Sequence, residues 1–267
     1  MKIALIQLNS TLDIEKNYKK FLYFLELSKA NKVNLIIFPE NTFFIGPIDD
    51  YTEITEELNK IYLPKILSEI KNHGIDVIIG GMPVFKENTG KDIVNRLLYV
   101  NSDGIIEKHY DKIHLFKLDN SNSSLNEASY LTRGDKIVTI EKGGFTFGFS
   151  ICYDLRFPEV YRALVNKGSN VLIVPAAFTY KTGKLHWLEL LKARAIENQS
   201  YVLGINQVGE HGNYGKSYGV TSLIKPIGEA ISLNDEDEDA LFFELQKSEI
   251  NSFRNWIPSL KNRVDFN

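Results

Sequence analysis

Short apolar runs alternate with segments of helical period along most of this chain, and that alternation limits the fold more than any other feature. The runs Ile3–Leu8, Asn34–Phe38, Asp76–Ile79, Arg96–Val100, Phe145–Ile151, Val171–Val174 and Tyr201–Ile205 read as buried strands. Between them, Asp13–Ala30 places Ile14, Tyr18, Phe21, Leu22 and Leu25 on one helical stripe. Glu53–Lys71 repeats the pattern through Ile54, Leu58, Ile61, Ile66 and Ile70. Phe157–Lys167 is a short helix, with Pro158 suited to its first turn and Gly168 to its cap. Lys184–Asn198 is another helix. This order predicts an α/β fold. From about Lys216 strands dominate, at Ser217–Ile224, Glu229–Ser232 and Ala240–Glu244, with Asn234–Asp239 as a solvated acidic turn. A last short helix lies near Ser248–Asn255. No internal repeat, Gly/Ser linker or low-complexity stretch divides the chain, so residues 1–267 read as a single domain.

Composition narrows the function classes. A chain of 267 residues with 43% hydrophobic and 24% charged residues can bury a sizeable core. The net charge of −3 points to neither nucleic acid nor a membrane surface. No stretch reaches the roughly 18 apolar residues that a membrane span needs. The apolar N-terminal run is too short for a secretory leader, so a cytoplasmic location is the expectation. One cysteine, Cys152, excludes an intramolecular disulfide and a cysteine-ligated zinc cluster.

Cys152 directly follows the apolar run Phe145–Ile151 and precedes Tyr153-Asp-Leu-Arg156, which turns into the next helix. A nucleophile at such a junction is exposed while the sheet holds its backbone, and the next N–H lies near the carbonyl under attack. The alternative is inert packing, the usual fate of a lone cysteine. A thiol also needs a base or a positive neighbour to react at neutral pH.

Three further groups sit at strand ends. Glu40 follows Leu35-Ile-Ile-Phe38, where α/β sheets gather functional groups and where partial burial makes a carboxylate a competent proton shuttle. Lys112, within Tyr110-Asp-Lys112-Ile-His114-Leu-Phe116, follows the strand Ile105–His109. An ammonium there can stabilise an oxyanion or hold a thiolate. His114 is either a base for Cys152 or a core imidazole bonded to backbone, and the second reading is preferred. Glu127 comes after the Asn120–Ser124 stretch, which reads as a flexible surface loop. Each of these alone has an ordinary surface explanation.

Taken in order, Phe38-Pro39-Glu40, Tyr110-Asp-Lys112-Ile-His114-Leu-Phe116 and Ser150-Ile-Cys152-Tyr-Asp-Leu-Arg156-Phe-Pro-Glu159 resemble the nitrilase superfamily of carbon–nitrogen hydrolases. Val174-Pro-Ala-Ala-Phe178-Thr-Tyr-Lys-Thr182-Gly183-Lys-Leu-His186-Trp187 and Leu191-Lys-Ala-Arg194-Ala-Ile-Glu197-Asn198-Gln199 resemble its branch of omega-amidases and deaminated-glutathione amidases. The resemblance implies a four-layer αββα sandwich and a homodimer paired through helices near the cysteine and the C-terminal segment. It implies Glu40 as general base, Lys112 as oxyanion stabiliser, Cys152 as nucleophile and Glu127 as the glutamate that positions substrate and Lys112. It implies amide hydrolysis through a thioester with ammonia released and no metal or organic cofactor. The chain departs from the branch at Thr132-Arg133-Gly134-Asp135, where proline commonly precedes glycine, and in the Asn/Ser-rich 118–126 loop.

Within that scheme the Tyr153 backbone N–H is the second oxyanion donor. Arg156 is a candidate clamp for a substrate carboxylate, because its planar fork suits one, or else an ion pair with Glu159 or Asp154. Phe178, Thr179 and Tyr130 are further pocket candidates, and Trp187 reads as core. The same groups also serve a nitrilase, an N-carbamoyl amidohydrolase or another aliphatic amidase. A non-catalytic interaction protein on this scaffold is the rival from another class.

Overall fold

Every strand carries a row of backbone donors and acceptors that only a neighbouring strand can satisfy away from water, so the apolar runs pair into sheets. The computed structural model describes residues 1–46, 51–87, 89–120 and 123–264. Its first half runs β1 (Lys2–Gln7), α1 (Ile14–Ala30), β2 (Leu35–Ile37), α2 (Tyr51–Glu57), a π-helical turn (Leu58–Tyr62), α3 (Leu63–His73), β3 (Asp76–Phe85), β4 (Ile93–Val100) and β5 (Ile106–Asp111). The hairpin β6 (Lys117–Asn120) and β7 (Ser123–Asn126) follows, then β8 (Thr139–Lys142), β9 (Phe145–Phe149), α4 (Pro158–Asn166), β10 (Val171–Ala176), α5 (Tyr180–Asn198) and β11 (Tyr201–Asn206). The last elements are β12 (Val208–Glu210), β13 (Lys216–Tyr218), β14 (Ser222–Ile224), β15 (Ala230–Ser232), β16 (Asp239–Glu244) and α6 (Lys247–Trp256).

Two six-stranded sheets result, ordered β16-β1-β2-β3-β4-β5 and β15-β14-β11-β10-β9-β8. Their centres, β1-β2-β3 and β9-β10-β11, are parallel. Alternation along each strand supplies both faces. Ile3, Leu5, Leu35 and Ile37 share one core with residues of the second sheet such as Phe147 and Ile173. Ala4, Ile6, Ile36 and Phe38 instead pack on Phe21 and Leu25 of α1 and on Ile66 and Ile70 of α3. On the far side, Leu164 of α4 and Leu191 of α5 cover the second sheet. The order is helix, sheet, sheet, helix: the expected αββα sandwich.

Several elements depart from the sequence expectations. The expected helix Glu53–Lys71 lies within a continuous helical run from Tyr51 to His73 but carries a π-helical turn at Leu58–Tyr62, because Pro64 has no N–H for the bond it would make to residue 60, and the Leu63 N–H reaches back to the Leu58 carbonyl. Strand β3 runs past Ile79, because Gly80 and Gly81 form a bulge between Ile79 and Met82 rather than a terminator. The expected strand Ser217–Ile224 is two strands in different sheets, parted where Gly219 (φ 73°) and Val220 (φ 56°) turn the chain. The stretch 118–126 is not structureless: β6 pairs with β7 in register Lys117 with Asn126, while residues 121 and 122 lie outside the described residues.

The β4–β5 register is tied down by one buried guanidinium. Arg96 donates Nε to Asp111 Oδ1 at 2.6 Å and Nη2 to Glu87 Oε2 at 2.9 Å. The hydrogen bond from Arg96 holds the Glu87 carboxyl at about 2 against an ordinary 4.5, with burial opposing. A value depressed on folding contributes stability that is present above pH 4.5 and lost as pH falls towards 2. Glu87→Gln is therefore expected to flatten the fall of stability across that window in urea melts. The cost at neutral pH is expected to stay under about 1 kcal/mol, because Glu87 is largely exposed. An unchanged acid slope contradicts this assignment.

Candidate active site

The cysteine is fixed by the junction after β9. Ile151 is still extended (φ −135°), and the chain then turns at Cys152 with φ 46°. For a residue with a Cβ this left-handed value costs about 1–3 kcal/mol and persists only where the surroundings enforce it. Here the fully buried Asp154 enforces it. Its carboxylate accepts from the Ile151 N–H at 2.9 Å, the Tyr110 hydroxyl at 2.7 Å and the His114 N–H at 3.0 Å. On the other flank Arg194 of α5 donates Nε and Nη2 to the Leu155 carbonyl at 3.2 and 2.9 Å. Residues Cys152–Arg156 close a 3-10 turn, and among the described residues the Tyr153 N–H has no acceptor.

His114 belongs to this scaffold. Its Nδ1 lies 2.8 Å from Asp154 Oδ1, and its ring stacks on Phe157 at 3.6 Å. Among the described residues it neither bonds Cys152 nor bonds backbone through its ring, so the preferred sequence reading of a backbone-bonded imidazole is corrected: Asp154 takes its Nδ1.

Glu40 follows β2, Lys112 follows β5 and Cys152 follows β9, so all three leave their sheets at carboxyl ends of co-directional strands. They meet between the two sheets. Lys112 Nζ donates to Glu40 Oε1 at 2.8 Å and to Glu127 Oε1 at 2.9 Å, and its side chain is 1% exposed. Glu127 also accepts the Phe116 N–H at 2.7 Å. Glu40 Oε2 accepts the Ala177 N–H from the end of β10 at 2.9 Å, joining the second sheet to the cluster.

The charges set one another. Burial alone would push the Lys112 ammonium down, but Glu127 and Glu40 outweigh it and hold it well above the ordinary lysine range. Burial raises the Glu127 carboxyl, with Lys112 opposing. Burial, and then Glu40, push the Cys152 thiol well above its usual range, while Lys112 pulls it down without prevailing. Burial and the neighbouring carboxylates thus favour the thiol, while Lys112 favours the thiolate. After burial, the Glu40 charge acts most strongly on that sulfur.

The pocket candidates separate into two sets. Arg156 is half-buried, its guanidinium over the Phe178 ring at 5.2 Å and the Tyr153 ring at 5.9 Å, with Nη1 3.4 Å from His186 Nδ1. It pairs with neither Glu159 nor Asp154 among the described residues, so the ion-pair reading does not hold. Phe178 is buried against Trp187, itself fully buried with its indole N–H on the Val220 carbonyl at 2.9 Å. Thr179 spends its hydroxyl on Thr182 at 2.7 Å. Tyr130 lies edge-on to Tyr51 at 4.8 Å. Burial raises the Tyr130 hydroxyl, and Glu127 adds to the shift, which puts that phenol near the charged cluster.

Sequence reading missed Asn95, whose Nδ2 donates to Glu40 Oε1 at 2.8 Å, as well as Tyr51 and the Ala177 N–H. Asn95 did leave a signal: Ile93-Val-Asn95-Arg96-Leu97 sets two polar residues inside a buried strand. Among the described residues, no group of three or more His, Cys, Asp or Glu is arranged to hold a metal ion.

The profile of the carbon–nitrogen hydrolase family matches residues 2–255. The chain belongs to this family. The hydrolase is 35% identical to the deaminated glutathione amidase of Dictyostelium discoideum over 98% of its own length and 93% of that protein. It is 32% identical to the omega-amidase NIT3 of Saccharomyces cerevisiae, again over 98% and 93%. The crystal structure of the C. elegans NitFhit protein superposes with a TM-score of 0.92 at 30% identity, covering 98% of the hydrolase and 64% of that chain. No helix of the hydrolase is long and apolar enough to cross a membrane among the described residues.

Glu40 raises the thiol of the hydrolase by its charge, so Glu40→Gln is expected to let Cys152 ionise at lower pH. The thiolate absorbance of Cys152, the single cysteine, should therefore rise at lower pH in the variant than in the wild type. An unchanged titration would mean that the Glu40 charge does not act on the sulfur.

Proposed function

We propose that this carbon–nitrogen hydrolase is an amidase of the omega-amidase and deaminated-glutathione amidase type, acting on a small amide that also carries a carboxylate. The observation that carries this reading is the buried Lys112, held between Glu40 and Glu127 in the cluster that faces Cys152. The amidase names of the relatives from Dictyostelium and yeast support the substrate class.

In this reading Glu40 takes the thiol proton as Cys152 Sγ attacks the amide carbon. The oxyanion that forms is met by the Lys112 ammonium and the Tyr153 N–H, each such donor contributing about 3 kcal/mol in comparable sites. Glu40 passes its proton to the nitrogen, the C–N bond breaks, and ammonia leaves; a substituted amide releases an amine instead. A thioester remains on Cys152. Glu40 then deprotonates water, which attacks the thioester, and the acid departs as the thiol is restored. Glu127 keeps Lys112 aimed at the oxyanion throughout. These steps need no proton shuttle beyond Glu40, which suits a site whose imidazole, His114, is committed to Asp154.

Arg156 is the proposed clamp for the distal carboxylate. Its guanidinium lies within cation–π distance of two aromatic rings and has no carboxylate partner among the described residues. Those rings hold the fork without engaging its N–H groups as a carboxylate would. Phe178 and Tyr153 supply the apolar wall.

Wild type and Cys152→Ala should be compared on 2-oxoglutaramate, deaminated glutathione, an N-carbamoyl amino acid and an aliphatic nitrile, reading acid product. The expected result is turnover of a carboxylate-bearing amide, reduced at least about a thousandfold in the variant. Preference for the nitrile or the carbamoyl compound, or full activity in Cys152→Ala, rejects the proposal. Arg156→Gln is expected to raise KM for the anionic amide about tenfold while leaving a neutral amide little changed. Equal effects on both would remove Arg156 from carboxylate recognition.

The assembly is proposed to be a homodimer. In support, Ile196, Trp256 and Ile257 are exposed beside a groove lined by Arg162, Gln199, Phe253 and Arg263, where α5 ends against the C-terminal segment. Sedimentation of a monomer at micromolar concentration overturns this.

A further inference from the structure

We propose that Asn95 is a positioning residue for the Glu40 carboxylate, and that the glycine bulge in β3 provides the room for it. The inference rests on the reading of Glu40 as the proton-transferring group.

Glu40 Oε1 receives two donors, Lys112 Nζ and Asn95 Nδ2, each at 2.8 Å, while Oε2 receives the Ala177 N–H at 2.9 Å. Lys112 alone cannot set the carboxylate plane, because an ammonium is a point charge with rotatable donors. The amide of Asn95 comes from a different strand and adds a second, directional contact to the same oxygen. With the Ala177 N–H on the other oxygen, the plane and the rotamer of Glu40 are both specified. Asn95 also holds Lys112, since its backbone carbonyl accepts the Lys112 N–H at 2.9 Å. One residue therefore sets the spacing between base and ammonium.

Packing does not account for an asparagine here. The side chain is 2% exposed, and its Oδ1 is buried with no hydrogen-bond partner among the described residues. An unpaired buried acceptor costs stability that an apolar side chain in β4 would not. Turning the amide over does not relieve this, because Oδ1 would then face the Glu40 carboxylate.

The bulge completes the seat. A Cβ on Gly81 would lie 2.6 Å from Asn95 Oδ1 and 3.3 Å from Glu40 Cγ. The Gly81 carbonyl accepts the Asn41 N–H at 2.9 Å, which holds the chain just after Glu40. A Cβ on Gly80 would lie 2.2 Å from the Phe38 carbonyl oxygen. The two glycines thus let β3 approach both the end of β2 and the amide of Asn95.

The test is the pH–rate profile of Asn95→Ala and Asn95→Asp on the amide that the wild type hydrolyses fastest, with thermal melts alongside. In Asn95→Ala, kcat is expected to fall about 10- to 100-fold, the worth of a hydrogen bond to a charged group, with KM within about twofold. The acid limb should move to higher pH, because the carboxylate loses a donor that favours its charged form. Asn95→Asp is nearly isosteric and places a second carboxyl against Glu40, so its acid limb should move further in the same direction. It also serves where the alanine variant does not fold. A lowered melting temperature with the wild-type acid limb, in whichever variant folds, reduces Asn95 to a structural residue and overturns the inference. Absence of amide turnover in the wild type defeats the amidase reading itself and is thereby distinguished.

Discussion

A lysine ammonium enclosed between two carboxylates is the interaction on which the rest of this site depends. Lys112 is almost completely removed from water, and a lone charge in that position would be expelled or neutralised. Glu40 and Glu127 keep it charged, and each carboxylate is itself held by further donors, the Ala177 N–H for one and the Phe116 N–H for the other. Removing Lys112 would leave two buried carboxylates without a counter-charge, and removing either carboxylate would leave the ammonium with a single partner. The cluster is therefore one unit, and it acts on the sulfur as one: burial and the two anions raise the Cys152 thiol, and the single cation lowers it.

Everything larger in the fold can be related to bringing that unit together. The two sheets present the carboxyl ends of their parallel strands to one region, and each contributes what the other lacks. The first sheet supplies Glu40, Lys112 and Asn95, and the second supplies Cys152 and the Ala177 N–H. The strained turn at Cys152 is stored in a network rather than in the cysteine, with Asp154 gathering Tyr110, His114 and Ile151, and Arg194 closing the turn from α5. This explains the place of several polar residues that do not touch the sulfur. Tyr110 and His114 lie in the same short stretch as Lys112, so the segment that delivers the ammonium also anchors the turn that carries Cys152.

Much of this was legible from the chain. Apolar runs of strand length alternating with helical stripes give the layers, since burial on both faces needs apolar side chains at every position. The functional side chains stood at strand ends in three separate stretches. What escaped reading were effects that pattern does not carry. The expected strand Asp76–Ile79 stops short of Gly80 and Gly81, which act as a bulge, because whether a strand continues through a glycine pair depends on the partner that strand meets. The helix through Leu58 widens to a π-turn because of Pro64, and the stretch from Ser217 to Ile224 divides because Gly219 and Val220 turn it from one sheet to another. Asn95 was visible only as a polar residue in an apolar strand, with no indication of what it faced.

The sequence by itself determined the alternation of elements, the single thiol and its place after a buried strand, and the identity of the charged groups, because these depend on local preference and composition. Only the tertiary structure decided which of those groups share a cavity, that His114 serves Asp154 and not the sulfur, that Arg156 rests on aromatic rings and not on an acid, and that Asn95 meets Glu40. Those contacts join residues far apart along the chain, up to 137 positions between Glu40 and Ala177. They arise from the register and stacking of two sheets, and no local property of the residues involved specifies that geometry.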